Sequence, residues 1–199
     1  MQRKWRRQRM AQFSKTMHLR EGMRILDLGG TPEIWNFLES QLDVTLLNLP
    51  EETSRWETNI HRNFKFVDGD ACFAEMFSDN SFDLVFSNSV IEHLSTEQQV
   101  DFARTVRRLA PSWWVQTPSI NFPIEAHCNL PFWWRYPDAA KEWWIEHWRR
   151  QGDFFLMHQM QTTHALTRER MLSLFDNCEM IIETFLGLEK SCIAYRVSC

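Results

Sequence analysis

Short apolar runs with strand character alternate along the chain with stretches that have helical character. The seven strand-like runs are residues 23–28, 44–49, 64–68, 82–88, 113–117, 180–187 and 191–197. Predicted helices lie between several of these runs. Strands that alternate with helices predict an α/β fold, in which a mostly parallel, doubly wound sheet is covered by helices on both faces.

Three helix starts carry recognisable capping signals. Thr31 is a suitable N-cap, and Pro32 suits the first helical position. Ser95 and Gln98 have the spacing of a capping box. Thr167 caps a further predicted helix before the last two strands. These signals place one helix directly after the first strand and another soon after the fourth.

The regular alternation of strands and helices breaks between Pro118 and Thr163, where Trp, Phe and Pro are abundant. We predict a single domain over residues 1–199, with a core of about 20–118 and 163–199 and an insertion of about 119–162. Trp144 and Trp148 would share one helix face with Lys141. That face could cover the cleft, a partner subunit or a lipid surface. We favour a lid over the cleft.

The first ten residues are basic. The basic side chains are those of Arg3, Lys4, Arg6, Arg7 and Arg9. We interpret them as the solvated face of a first helix that turns Trp5, Met10 and Phe13 inward. The alternative is an arm that binds phosphates or anionic lipid.

Composition narrows the function classes. A net charge of −4 argues against a dedicated nucleic-acid binder. No apolar run approaches the roughly 20 residues of a transmembrane helix, and the basic start lacks the apolar stretch of a secretory signal. The five cysteines form no C-x-x-C pair. We therefore expect a reduced, cytoplasmic protein; composition says nothing of its oligomeric state.

Small and polar residues stand where the first three predicted strands end. Asp27, Gly29 and Gly30 end the first strand, Asn48 lies at the end of the second, and Asp70 follows the third. Ligands of a doubly wound sheet bind beyond the carboxyl ends of its strands. Glycine lets a ligand approach the backbone closely. A nicotinamide dehydrogenase would need the pattern G-x-G-x-x-G, which is absent here.

These stretches resemble the motifs of the class I S-adenosylmethionine-dependent methyltransferases, in their small-molecule branch. The matching segments are ILDLGGTPEIW, VTLLNLP, VDGDA, SFDLVFSNSVIEHL and LTRERMLSLF. The resemblance implies a Rossmann-like seven-stranded sheet with the last strand antiparallel, and S-adenosylmethionine as cofactor. Thr31 and Asn48 depart from the family pattern, which usually has glycine and an acidic residue at these positions.

The resemblance also implies roles for individual residues. Asp27, Gly29 and Gly30 would lie at the methionine moiety, Asn48 at the ribose, Asp70 and Ala71 at the adenine, and Asn88 and Ser89 near the sulfonium. Thr31 and Leu49 are further predicted cofactor-binding residues. The favoured function is methyl transfer to a small-molecule acceptor at oxygen. The alternative is an inactive cofactor-binding or interaction partner of another enzyme.

An oxygen nucleophile needs its proton removed, and histidine is the usual base. His93 follows the fourth strand beside Glu92, and His127 lies in the insertion near Glu125. Each of the two histidines is a candidate base, with a purely structural role as the alternative, and His127 could also be a substrate ligand. The remaining candidates, His147, His158 and His164, lack metal-ligand spacing, so we expect no metal there.

Overall fold

The computed structural model describes residues 2–50 and 64–198. The helices are α1 (Gln2–Thr16), α2 (Pro32–Trp35), α3 (Thr96–Leu109), α4 (Asp138–Gln151), α5 (Phe154–Thr162) and α6 (Arg168–Leu174). The strands are β1 (Arg24–Leu28), β2 (Asp43–Asn48), β3 (Lys65–Asp68), β4 (Leu84–Asn88), β5 (Ser112–Pro118), β6 (Glu179–Phe185) and β7 (Leu188–Arg196). Two 3₁₀ turns cover Ile91–His93 and Trp133–Arg135.

The seven strands form one sheet in the order β3-β2-β1-β4-β5-β7-β6. Strands β1 to β5 are parallel, and β7 runs antiparallel to both of its neighbours. The order reverses between β1 and β4, so a crevice opens at the carboxyl ends of these two strands. This topology confirms the predicted Rossmann-like sheet and its antiparallel last strand.

Each face of the sheet buries its own core because successive strand residues point to opposite sides. In β1, Leu26 and Leu28 pack beneath α3 and α6, where Phe102 and Phe175 are fully buried. Ile25 packs on the other side with a cluster formed by α1, α2 and the sheet, to which Met10, Phe13, Trp35, Phe86 and Trp114 contribute. The period-two alternation of β1 therefore positions both helical layers.

Two of the three predicted N-caps form side-chain hydrogen bonds, and the third does not. The capping box at Ser95 is present in full, with bonds of 3.3 Å and 3.0 Å to Gln98. Thr167 accepts the backbone N–H of Arg170. Thr31 makes no side-chain cap bond, and α2 is a single turn. The first strand is therefore followed by a short turn whose backbone, rather than a capping side chain, determines its shape.

One prediction about α1 is wrong in part. Met10 and Phe13 are fully buried, as expected. Arg9, however, does not lie on the solvated face, because its side chain is only 7% exposed and contacts the sheet. The exposed basic residues of the described helix are Arg3, Lys4, Arg6, Arg7 and, in its last turn, Lys15.

Residues 119–162 build a small layer of their own. Trp133, Trp148 and Met160 form a third buried cluster, separate from the two cores of the sheet. The rings of Trp144 and Trp148 lie 5.7 Å apart on one face of α4, as the spacing predicts. Among the described helices, none has the length and apolarity needed to cross a membrane.

Candidate functional site

The chain turns sharply after β1, and two glycines make the turn sterically possible. Gly29 has a φ of +71°, and a Cβ atom there would lie 2.8 Å from a methyl group of Val90. A Cβ atom on Gly30 would lie 1.9 Å from Oδ2 of Asp27. Both positions therefore exclude any side chain. The backbone of this turn is left bare at the carboxyl edge of the sheet.

Asp27 lies beneath this turn and is completely buried. Its Oδ2 accepts a 2.8 Å hydrogen bond from Nε1 of Trp35, whereas Oδ1 has no partner among the described residues. Burial raises the pKa of Asp27 to about 7, although the bond from Trp35 acts in the opposite direction. Asp27 thus supports the glycine turn from below.

Asn48 and Asp70 are also engaged with backbone groups. Nδ2 of Asn48 donates to the carbonyl oxygen of Gly30 at 2.9 Å, which ties the end of β2 to the glycine turn. Oδ1 of Asp70 accepts the backbone N–H of Cys72 at 2.7 Å. These polar residues stabilise the loops at the strand ends, and their predicted contacts with the ribose and the adenine stay predictions.

A cavity of about 880 Å³ opens beside the glycine turn, within the size range of ligand pockets. Predicted cofactor-binding residues that line it are Gly29, Gly30, Thr31, Asn88 and Ser89. Both candidate bases, His93 and His127, line it as well. Asp27, Asn48, Leu49, Asp70 and Ala71 are not among the described lining residues. The structure therefore brings together the predicted methionine and sulfonium positions and both histidines.

Arg9 fixes the wall of the cavity that β4, β5 and β6 form. Its Nε and Nη2 contact the two carboxylate oxygens of Glu183 at 2.8 Å and 2.5 Å. Its Nη1 donates to Oδ1 of Asn88 at 2.6 Å and to Oε1 of Gln116 at 3.0 Å. Burial alone would raise the pKa of Glu183, but hydrogen bonds from Arg9 and its charge bring that pKa below the ordinary value.

Ser89 belongs to the same network. Its Oγ donates to Oε1 of Gln116 at 3.0 Å, and its backbone adopts the left-handed conformation with φ of +57°. Non-glycine residues are uncommon in this conformation, and those that adopt it cluster at ligand-binding and active sites. Asn88 and Ser89 are thus rigidly presented at the end of β4, where the resemblance predicts the sulfonium.

His127 and Glu125 form a hydrogen-bonded pair in the wall that the insertion contributes. Nδ1 of His127 lies 2.8 Å from Oε1 of Glu125, which is 3% exposed. Oε2 of Glu125 accepts the backbone N–H groups of His127 and Cys128. Because Nδ1 is directed at a carboxylate, it carries the proton in neutral His127, and Nε2 holds a lone pair.

The pKa values of this pair move in opposite directions. Burial lowers the pKa of His127, but the hydrogen bond and charge of Glu125 outweigh it and raise the value above the ordinary one. Burial likewise opposes ionisation of Glu125, and the bonds from His127 and the backbone bring its pKa below the usual range. The pair is arranged to stabilise a protonated His127, as a proton-accepting base requires.

His93 lies against His127, with ring centroids 4.9 Å apart. Burial, together with the charge of His127, lowers the pKa of His93 to about 4, which makes it neutral at pH 7. Its neighbour Glu92 is 1% exposed, and burial raises the pKa of that carboxyl group to about 7. Of the two candidate bases, only His127 has a carboxylate hydrogen-bonded to its ring.

Sequence reasoning missed Arg9 and Gln116. Trp5, Arg9 and Phe13 are spaced four apart, so Arg9 shares a helix face with residues that were expected to point inward. Gln116 is a polar residue within the apolar strand that contains Trp113 and Trp114. These two signals were available in the sequence, and both residues are buried beside the cavity.

Comparison with known proteins finds a similar domain in the first half of the chain. Residues 19–112, a little under half of the chain, match the family model described as a methyltransferase domain. No curated protein is similar in sequence. The matched domain and the observed order of the strands make the first half of the chain similar to a methyltransferase domain, on a Rossmann-like sheet.

Solved structures share the fold at low sequence identity. A candidate methyltransferase of an antibiotic biosynthesis pathway from Anabaena variabilis has a TM-score of 0.57 and 16% identity, with 87% of this chain and 63% of that chain covered. A candidate O-methyltransferase from Nostoc punctiforme has a TM-score of 0.54 and 16% identity, with 96% and 55% covered. Phosphoethanolamine N-methyltransferase 2 of Haemonchus contortus, in complex with S-adenosyl-L-methionine, has a TM-score of 0.60 and 17% identity, with 96% and 52% covered. The chain thus spans between half and two thirds of the length of these proteins.

Proposed function

We propose that this chain binds S-adenosylmethionine at the glycine turn and transfers its methyl group to an oxygen of a small-molecule acceptor. The observation that carries the proposal is the shared cavity, which is lined both by Gly29 and Gly30 and by the Glu125–His127 pair. The cofactor supplies the reactive group, so the protein has to align an acceptor with it and take up a proton. His127 is the base and Glu125 its orienting partner.

The positions that the resemblance gives to the cofactor fit this arrangement. The carboxypropyl tail of the cofactor would lie on the bare backbone of Gly29 and Gly30, and the sulfonium near Asn88 and Ser89. Asn48, Leu49, Asp70 and Ala71 would border the adenosine. The structural neighbours support the cofactor and leave the acceptor atom open, because one is described as an O-methyltransferase and another as an N-methyltransferase.

The second candidate is a cofactor-binding or interaction partner without activity of its own. The observation that favours it is Asn48, whose amide group donates to Gly30 where the family usually has an acidic residue. A neutral amide forms weaker hydrogen bonds to ribose hydroxyls than a carboxylate does.

Calorimetry with S-adenosylmethionine and S-adenosylhomocysteine separates the two candidates. We expect micromolar binding of both, and a loss of roughly tenfold or more, about 1.4 kcal/mol, in the Gly29→Ala variant. Its matched control is Gly152→Ala, since Gly152 has a similar φ of +77° but no atom within 4 Å of the added Cβ. Failure of the parent protein to bind either compound would leave only the partner role.

We further propose that residues 119–162 act as a lid that recognises the acceptor. Members of this segment line the cavity, among them Phe122, Trp134, Phe155 and Gln159. Its separate buried cluster holds it together without the cores of the sheet. Aromatic side chains over the reacting atoms exclude water and tolerate the positive charge of a sulfonium.

Two adjacent phenylalanines give a matched test of the lid. Phe154 and Phe155 are 62% and 66% exposed, but only Phe155 lines the cavity. We expect Phe155→Ser to raise KM for the acceptor roughly tenfold through lost apolar contact, with cofactor affinity unchanged. Phe154→Ser should leave both quantities as they are. Equal effects of the two substitutions on the acceptor would contradict the lid.

A further inference from the structure

Three potential metal ligands meet on the wall of the cavity. Glu92 and His93 come from the 3₁₀ turn after β4, and His127 comes from the insertion. One ligand atom from each of the three lies within 4.8 Å of those of the other two. Two imidazoles and one carboxylate are a ligand set that binds zinc and other divalent transition metals in proteins.

One oxygen of this cluster is buried without a hydrogen bond. Oε2 of Glu92 accepts from Oγ1 of Thr117 at 3.1 Å, but Oε1 has no partner among the described residues. Glu92 is 1% exposed and lines the cavity. A buried carboxylate oxygen without a partner is costly, and the cost disappears when a cation binds to it.

Both histidines are held in the tautomer that a metal at Nε2 requires. Nδ1 of His127 is bonded to Glu125. The hydroxyl of Thr163 donates its only proton to the carbonyl oxygen of Gln159 at 2.7 Å. The 3.3 Å contact between that hydroxyl and Nδ1 of His93 is therefore one in which Nδ1–H donates. A ligating histidine usually donates its other N–H to a carboxylate, carbonyl or water, which orients the ring.

We propose that Glu92, His93 and His127 bind one divalent transition-metal ion, with zinc as the best-fitting ion. Zinc ligands lie about 2.1 Å from the metal and hence about 3.4 Å from one another in a tetrahedral site, a spacing that ligand atoms within 4.8 Å of one another reach by small side-chain movements. All three residues line the cavity, and three protein ligands leave one coordination position open, which is typical of catalytic rather than structural zinc sites.

The open position has a chemical consequence that rests on the proposed function. A hydroxyl group bound to the ion would lose its proton to solvent water at a much lower pH. In the metal-bound protein the ion would therefore activate the acceptor oxygen, and His127 would act as the base only in the metal-free protein. Metal binding itself does not depend on methyl transfer. It can be measured on the protein without cofactor or acceptor.

Zinc titration of the full chain, stripped with a chelator and followed by calorimetry, tests the site. We expect one ion per chain, and affinities roughly 100-fold or more weaker in His93→Ala, His127→Ala and Glu92→Gln. His147→Ala, which alters a histidine of α4 outside the cavity, is the matched control and should bind as the parent does. Glu92→Gln preserves size and the bond from Thr117, so circular dichroism should find it folded.

Cobalt(II) replaces zinc as a spectroscopic probe. Absorption bands of cobalt bound to nitrogen and oxygen are expected for the parent and should be lost in the three variants. A thiolate-to-cobalt band would place the ion at a cysteine and overturn the proposal, as would zinc binding that all three variants retain or no binding by the parent. Zinc binding without binding of S-adenosylmethionine would instead contradict the proposed function alone.

Discussion

Replacement of Arg9 by methionine is expected to lower the free energy of unfolding by about 3 kcal/mol, the lower end of the range for a broken buried ion pair. Methionine keeps much of the apolar length of the side chain but leaves the Glu183 carboxylate without its bidentate partner. Arg9 is 7% exposed and Glu183 17%, so water compensates the lost contact only in part. Chemical denaturation measures the change.

The double variant Arg9→Met/Glu183→Gln completes a thermodynamic cycle. Because the second substitution removes the unpaired charge, most of the lost stability should return, and a large coupling energy would show that the two residues act together. Arg7→Met, at an exposed position of the same helix, should change stability by less than about 0.5 kcal/mol. Equal losses in Arg9→Met and the double variant would contradict this account of Arg9.

Replacement of His127 by alanine is expected to lower kcat for methyl transfer by roughly 10²- to 10⁴-fold, the range for loss of a general base. Cofactor affinity should stay unchanged, because His127 faces the cavity from the insertion and not from the glycine turn. Glu125→Gln should give a smaller loss, since the amide can still contact the ring but no longer stabilises its charge. Assays with a chelator present keep this role separate from that of a bound metal.

Substitutions of two other histidines complete the measurement, one as a control and one as a test of the alternative base. His158 is exposed on α5 and does not line the cavity, so His158→Ala should retain the parent rate. His93→Ala tests the other candidate base. If His93→Ala abolished turnover while His127→Ala did not, the roles proposed here would have to be exchanged.

The sheet and the glycine turn could be predicted from the sequence because their signals are local. Alternating apolar runs indicate parallel strands, and Gly29-Gly30 directly after such a run indicates a tight turn before a helix. The capping box at Ser95 is equally local, since both partners lie within one helical turn. Such features depend on residues that are close together in the sequence, so they can be predicted without knowledge of the tertiary structure.

The polar network of the cavity could not be predicted in the same way. Glu92 and His127 are 35 positions apart, and nothing in their spacing indicates that the insertion folds back onto the turn after β4. Asn48 and Asp27 were expected to face a ligand, yet their described contacts are with Gly30 and Trp35. A strand-end position says that a side chain lies near the crevice, but the direction of its hydrogen bonds depends on tertiary packing.

The ion pair between Arg9 and Glu183 also constrains how the molecule assembles during synthesis. It joins residues 174 positions apart, so β6 is synthesised well after helix α1. The anchoring side chain of α1 therefore has no carboxylate to contact until β6 has emerged. Domains fold largely as units, and contacts distant in sequence form late because a large loop must close first. The wall of the cavity that Arg9 holds in place is therefore expected to form later than the glycine turn beside it, whose contacts are local in sequence.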